Sequence, residues 1–158
     1  MKRFLYILCV TVSLSGLNAC KKDSDPEPTA AVVGSWTIDR IRYTGFTGVY
    51  ASENGDTDAT DVSFPLKDNF TVKSDKTFQR TVRLYGQVAD FTGNWEFSNN
   101  EMSVKYNDGD EETYTLDASK DPNQLLTAVT AVSDSLTNPT TQKGELVRYN
   151  VQYVYSKK

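Results

Sequence analysis

The sequence predicts an all-β fold: about eight antiparallel strands, closed as a barrel or stacked as a sandwich. Three observations predict it. Short runs rich in Val, Thr, Tyr and Phe alternate apolar with polar residues, the period of a strand with one buried face. Turn signals separate these runs at hairpin spacing. No stretch carries a convincing helical period.

In chain order, the first segment is an address rather than part of the fold. Met1–Arg3 is basic, Phe4–Leu17 is mostly apolar, and small and polar residues close it. This is the layout of a secretory signal peptide over 1–19. The apolar run is too short and too interrupted for a membrane span. Leu17-Asn18-Ala19-Cys20 resembles the lipobox of bacterial lipoproteins. That resemblance implies cleavage before Cys20, a diacylglycerol on its thiol and an acyl chain such as palmitate on its amine. Two or three acyl chains hold firmly where one holds marginally, at about 0.8 kcal/mol per buried methylene. The membrane is therefore an expected partner, through an N-terminal lipid anchor.

Residues 20–31 read as the lipidated cysteine and a flexible tether, with mixed charges, two prolines and no apolar period. Lys21 stands where inner-membrane-retained lipoproteins of the enteric type carry Asp, which by resemblance implies the outer membrane. Lys21-Lys22-Asp23-Ser24-Asp25 is similar to short tags that send lipoproteins to the cell surface. The expected location is the outer membrane, on its periplasmic or its outer face.

The domain is expected over 32–158. Its runs are 32–45 (VVGSWTIDRIRYTG), 69–73, 76–85, 88–98, 101–107, 111–117, 123–133 and 145–156 (ELVRYNVQYVYS). Val147, Tyr149, Val151, Tyr153 and Tyr155 share one face of the last run, and Arg148, Asn150 and Gln152 the other. Met102, Val104 and Tyr106 alternate in the same way, as do Tyr114 and Leu116. Phe70 and Val72 suit Phe78, Val82 and Leu84 across the Ser74-Asp75 turn. Asn107-Asp108-Gly109-Asp110 is a hairpin signal.

Gly34-Ser35-Trp36 in the first run resembles the Gly-x-Trp motif that opens the lipocalins, within the calycin barrels. FTVKSDKTF resembles the strand–turn–strand of bacterial lipocalin-like lipoproteins, with Lys76 where Gly is usual. GNWEFSNNEMSV, which repeats Gly-x-Trp at Gly93–Trp95, resembles the hairpin that follows there. The resemblance spans about 32–155. It implies an eight-stranded up-and-down lipocalin-like barrel, with a β-sandwich as the alternative. It also implies that Gly34 and Trp36 close one barrel end, with Arg148 laid across the indole. A cation over an indole gains about 0.5–2 kcal/mol.

Such a barrel is wide enough for one small ligand. The expected lining includes Phe70, Phe78, Trp95, Tyr114 and Tyr149, with Val82 and Tyr153; these rings serve equally well as a filled core. Arg80 lies between Phe78 and Val82 on the apolar face. Inside, it needs an acidic partner or an anionic ligand; otherwise a bulge turns it out. Arg40 poses the same question beside Trp36 and Ile38. The long segment 44–67 offers Phe46, Tyr50 and Phe64 as the sticky points of a lid. Its acids, Glu53, Asp56, Asp58 and Asp61 with Asn54, lack Ca²⁺-loop spacing and read as a solvated loop. Asp108, Asp110, Glu111 and Glu112 read as an exposed hairpin tip.

Several function classes are disfavoured. The chain holds 17 basic and 21 acidic residues, and no basic run, so nucleic acid is not an expected partner. It has no histidine, and its two cysteines, Cys9 and Cys20, lie before the domain. That removes the usual general base and the commonest zinc ligand. No enzyme, metal or cofactor is expected. The expected function is binding of a small apolar or amphipathic ligand at the mouth between segment 44–67 and the interior. The alternative is a surface module with a filled core that binds a protein or glycan through its loops.

Overall fold

The computed structural model describes residues 31–158. The expected signal peptide, Cys20 and the tether up to residue 30 lie outside these residues. Among those described, the strands are β1 (Gly34–Thr44), β2 (Gly55–Asp58), β3 (Leu66–Val72), β4 (Thr77–Leu84), β5 (Gln87–Ser98), β6 (Glu101–Tyr106), β7 (Glu111–Asp117), β8 (Gln124–Thr127), β9 (Thr130–Thr137) and β10 (Gly144–Lys157). A 3-10 helix, Gly48–Glu53, lies between β1 and β2.

β1 pairs with β3 on one side and β10 on the other, and this closes the sheet. The closed ring runs β1-β3-β4-β5-β6-β7-β8-β10, antiparallel throughout, as an eight-stranded barrel. β2 and β9 stand outside the ring. Past the rim, the C-terminal half of β1 pairs with β10 from Asn150 to Val154, and the N-terminal half of β10 runs on beyond Thr44, so that together they form a ribbon. β2 adds to the ribbon's β1 edge and β9 to its β10 edge. These pairings cover Arg40–Tyr43 of β1 and Gly144–Val151 of β10, which leaves fewer open backbone donors and acceptors at the rim.

Two of these elements differ from the sequence expectation. The run at 123–133 is two strands, β8 on the barrel and β9 on the ribbon, parted at Ala128-Val129. Segment 44–67 is not structureless, since it holds the 3-10 helix and β2. β2 is Gly-Asp-Thr-Asp, which carries no apolar periodicity, and pairing to β1 supplies its order instead.

A bulge in β1 sets the faces. Ile38 opposes Tyr155 and Arg40 opposes Val154, so Asp39 is the extra residue. Trp36 and Ile38 are buried before it, and Ile41 is buried after it, one residue out of the earlier alternation. Arg40 is thereby turned out of the barrel, where it meets Asp39, Asp56 and Gln124.

The barrel interior is filled. Trp36, Phe70, Phe78, Trp95, Met102, Tyr114 and Tyr155 are each at most 2 % exposed. Phe70 sits among Phe78, Tyr114 and Tyr155, with ring centroids 4.9–5.3 Å away. A large apolar side chain stabilises by about 1.5–3 kcal/mol when buried, so these rings make the interior a packed core. Gly93 permits the close approach of β5 to β6: a Cβ there would lie 2.3 Å from the Lys105 carbonyl oxygen.

Each Gly-x-Trp is built the same way. Trp36 Nε1 donates to the Val32 carbonyl and Trp95 Nε1 to the Lys73 carbonyl, both at 2.8 Å. A lysine lies over each ring, Lys157 at 5.8 Å from Trp36 and Lys76 at 4.0 Å from Trp95. Arg148, expected across the Trp36 indole, does not reach it. Arg148 is exposed on the ribbon, opposite Ser133. Trp36 pairs with Lys157 in the register, so the C-terminal end of β10, not its start, brings a cation to the indole.

Candidate functional site

Two concavities gather the residues expected at a ligand site: the barrel rim at Arg80 and the cleft on the ribbon.

At the rim, Arg80 points inward. β3, β4 and β5 pair without a register break, so no bulge turns it out. Its fork grips Asp68, with Nε to Oδ1 at 2.9 Å and Nη2 to Oδ2 at 2.6 Å. Nη1 donates to Glu112 Oε2 at 2.5 Å and to the Tyr106 hydroxyl at 2.9 Å. Nη2 also donates to the Tyr155 hydroxyl at 3.3 Å. A guanidinium has five N–H donors, and these five contacts occupy them. Tyr106 and Tyr114 donate to Glu112, and Tyr155 donates to Asp68.

Burial alone would lower the Arg80 pKa, but the hydrogen bond to Asp68 and the surrounding tyrosines and carboxylate raise it overall. The tyrosines move upward too. Burial pushes Tyr106 up to about 12 and raises Tyr155 and Tyr114 further. This cluster is a plug. Its charged donors are spent on the chain's own carboxylates, so an anion finds no free guanidinium N–H. Glu112, expected on an exposed tip, is part of the plug because it shares the inward face of β7 with Tyr114 and Leu116. A shallow cleft of about 310 Å³ lies above it, between Phe91 and the β6–β7 turn.

The larger concavity is on the ribbon. The face that is inward in the barrel continues along β1 and β10 as Tyr43 and Tyr149. After β1 the chain folds back over that face. Phe46 stacks on Tyr149 with centroids 4.3 Å apart and planes 14° apart. Tyr43 stands 6.1 Å from Tyr149 and 6.4 Å from Phe46. The 3-10 helix adds Tyr50, whose hydroxyl donates to Glu145 Oε2 at 3.4 Å. Asn54 secures the crossing, with its amide bonded to the Phe46 carbonyl and its Oδ1 accepting from the Phe46 N–H.

Between the helix, β2 and the β9–β10 turn lies a cleft of about 610 Å³. Its walls combine the four rings with Val49, Leu136 and Pro139, and with the hydroxyls of Ser52, Thr57 and Thr137. Glu53 is the charged residue in the lining. The Tyr149 hydroxyl donates to Asp134 at 2.5 Å. That bond, then burial, raises the Tyr149 pKa to about 12.

The expected ligand residues therefore separate. Phe46, Tyr50 and Tyr149 come together in the cleft. Phe70, Phe78, Trp95 and Tyr114 fill the barrel, and Arg80 belongs to the plug. Phe64 is half-buried and packs against the core. Tyr43 was missed as a cleft residue, although it closes the apolar alternation of β1. Asp68 was also missed, although it lies two residues before Phe70 on the same face. The acids of 44–67 do not gather. Asp58 accepts from Thr60, Asp61 accepts from Ser63, and Asp56 pairs with Arg40 and Arg42.

Fold and register define an eight-stranded antiparallel barrel, consistent with a calycin-like barrel, carrying two added strands. No family model and no curated protein matches the sequence. Among solved structures, an uncharacterized protein from Bacteroides eggerthii matches at 12 % identity and a TM-score of 0.43, over 80 % of this chain and 99 % of that one.

Proposed function

We propose that this chain is an outer-membrane-anchored lipoprotein whose filled lipocalin-like barrel presents the ribbon cleft to a small apolar or amphipathic ligand. The cleft's size and lining carry this reading. About 610 Å³ falls within the range of small-molecule sites, roughly 300–1,000 Å³. Four aromatic rings supply apolar contact and the hydroxyls supply orientation. In this reading the ligand lies between segment 44–67 and the ribbon, rather than at a mouth between that segment and the interior, because core aromatics occupy the interior. The lipobox at Cys20 supports the anchor. Absence of histidine, and of any motif that places a nucleophile, supports binding rather than catalysis.

Titration calorimetry with octyl glucoside, below its critical micelle concentration, tests the binding claim. The expected result is saturable binding that Phe46→Ala and Tyr50→Ala weaken and Val82→Ala, on the barrel's inner face, leaves unchanged. Binding insensitive to the cleft variants contradicts it.

A second reading has its own support. Leu84, Tyr85 and Val88 at the β4–β5 turn are 46 %, 81 % and 53 % exposed. An apolar hairpin tip on a filled barrel suits a surface module that docks a protein or glycan. Crosslinked partners lost with Tyr85→Ser, and retained with Phe46→Ala, would favour it.

A further inference from the structure

We propose that the ribbon cleft selects an organic cation, an alkylammonium whose positive head sits among the aromatic rings and whose apolar chain lies along the cleft wall. This rests on the cleft reading above and names the class of ligand.

The charge distribution carries it. The cleft lining contains no lysine or arginine, and Glu53 lies in it. Two more carboxylates share the same face of the ribbon. Glu145 accepts from Tyr50 and from Asn138, and Asp134 accepts from Tyr149. Among the described residues, none of these three carboxylates is in an ion pair with a cationic side chain. The nearest arginines in sequence are turned away. Arg42 alternates with Tyr43 and pairs with Asp56 on β2, and Arg148 alternates with Tyr149.

An anionic head would therefore meet carboxylates with no counter-charge. A cationic head meets both kinds of partner it needs. The rings of Tyr43, Phe46, Tyr50 and Tyr149 line the cleft, where π density attracts a cation within about 6 Å of a ring centroid, and the carboxylates add Coulomb attraction at the rim. The raised pKa of Tyr50, from burial and then from the Glu145 charge, is in keeping with a locally negative field. Hydroxyls without a charged neighbour would hold a neutral sugar head as well as a cationic one. The three unpaired carboxylates are what tip the choice.

Three amphiphiles with the same tail and different heads test this: octyltrimethylammonium, octyl glucoside and octyl sulfate. Each is titrated by calorimetry below its critical micelle concentration against the full chain, Glu53→Gln and Phe46→Ala. The account expects the ammonium to bind about tenfold more tightly than the sulfate, with the glucoside between them. Glu53→Gln should narrow that gap, and Phe46→Ala should weaken the ammonium. Equal affinity for all three heads overturns the selectivity and leaves the cleft reading standing. Ammonium binding that ignores both variants also overturns it, as general attraction to an acidic surface. Absence of binding by all three overturns this inference together with the cleft reading.

Discussion

Arg80 and Asp68 face each other as fork and carboxylate inside the barrel, at 2.9 and 2.6 Å, with Asp68 3 % exposed. The pair spans β3 and β4 diagonally, since Asp68 opposes Val82 and Arg80 opposes Phe70. Removing one partner strands a buried charge. Asp68→Ala is expected to cost about 3–5 kcal/mol in urea unfolding. Arg80→Met with Asp68→Leu should cost much less than the two single changes together, because neither charge is then left alone. Additive losses would show that the two residues act separately.

The tyrosines around this pair give the fold an alkaline limit. Tyr106, Tyr114 and Tyr155 all have native pKa values above the ordinary 10, that of Tyr106 being about 12. Their contribution is fully present below pH 10. Above it the unfolded chain releases protons that the folded chain keeps, so stability falls as pH rises towards 12. Each such tyrosine contributes a slope of about 1.4 kcal/mol per pH unit. Phenolate absorbance followed alongside urea midpoints should show late, cooperative ionisation, and Tyr155→Phe should flatten the slope.

Lys157, not Arg148, is the cation over Trp36. Lys157→Met should lower stability by about 0.5–1 kcal/mol through the lost cation–π contact. Arg148→Met, on the exposed side of the ribbon, should stay within about 0.5 kcal/mol of the parent. The reverse order in chemical denaturation would restore Arg148 as the closing residue.

Gly93 has no room for a side chain. Gly93→Ala would place a methyl against the Lys105 carbonyl and force β5 from β6. The expected loss is above about 2 kcal/mol, with faster amide exchange along β6. A neutral result would mean that the strands can part there at no cost.

Cys20 carries the anchoring claim. Cys20→Ser should leave the domain folded by circular dichroism and move it from the membrane fraction to the soluble one. A variant that stays membrane-bound with unchanged processing contradicts a lipid anchor.

Period-two alternation made most of the barrel legible, because each barrel strand has one buried face. It placed Tyr149, Val151, Tyr153 and Tyr155 correctly on one side of β10. Alternation also raised the question of Arg40 and Arg80, but it could not tell them apart. Both sit on the apolar parity, and only the bulge at Asp39 sends one out and leaves the other in. A bulge depends on cross-strand register, which a single strand's sequence does not carry. β2 and β9 were hidden for a related reason: they order by pairing with the ribbon rather than by burying an apolar stripe. Lys157 was overlooked because which cation reaches Trp36 depends on how far β10 runs past the indole. The cleft residues Phe46 and Tyr50 stood out as aromatics in a polar loop, while their meeting with Tyr149 depends on the chain folding back after β1.

The claim that matters most is where a ligand sits. Chemical-shift mapping of the isotope-labelled protein during a titration with octyl glucoside addresses it directly. The account predicts the largest shifts at the amides of Tyr43, Phe46, Tyr50 and Tyr149, with the core amides of Phe70, Phe78 and Tyr114 nearly unmoved. Shifts centred on those core residues, with the ribbon silent, would put the ligand inside the barrel and contradict it.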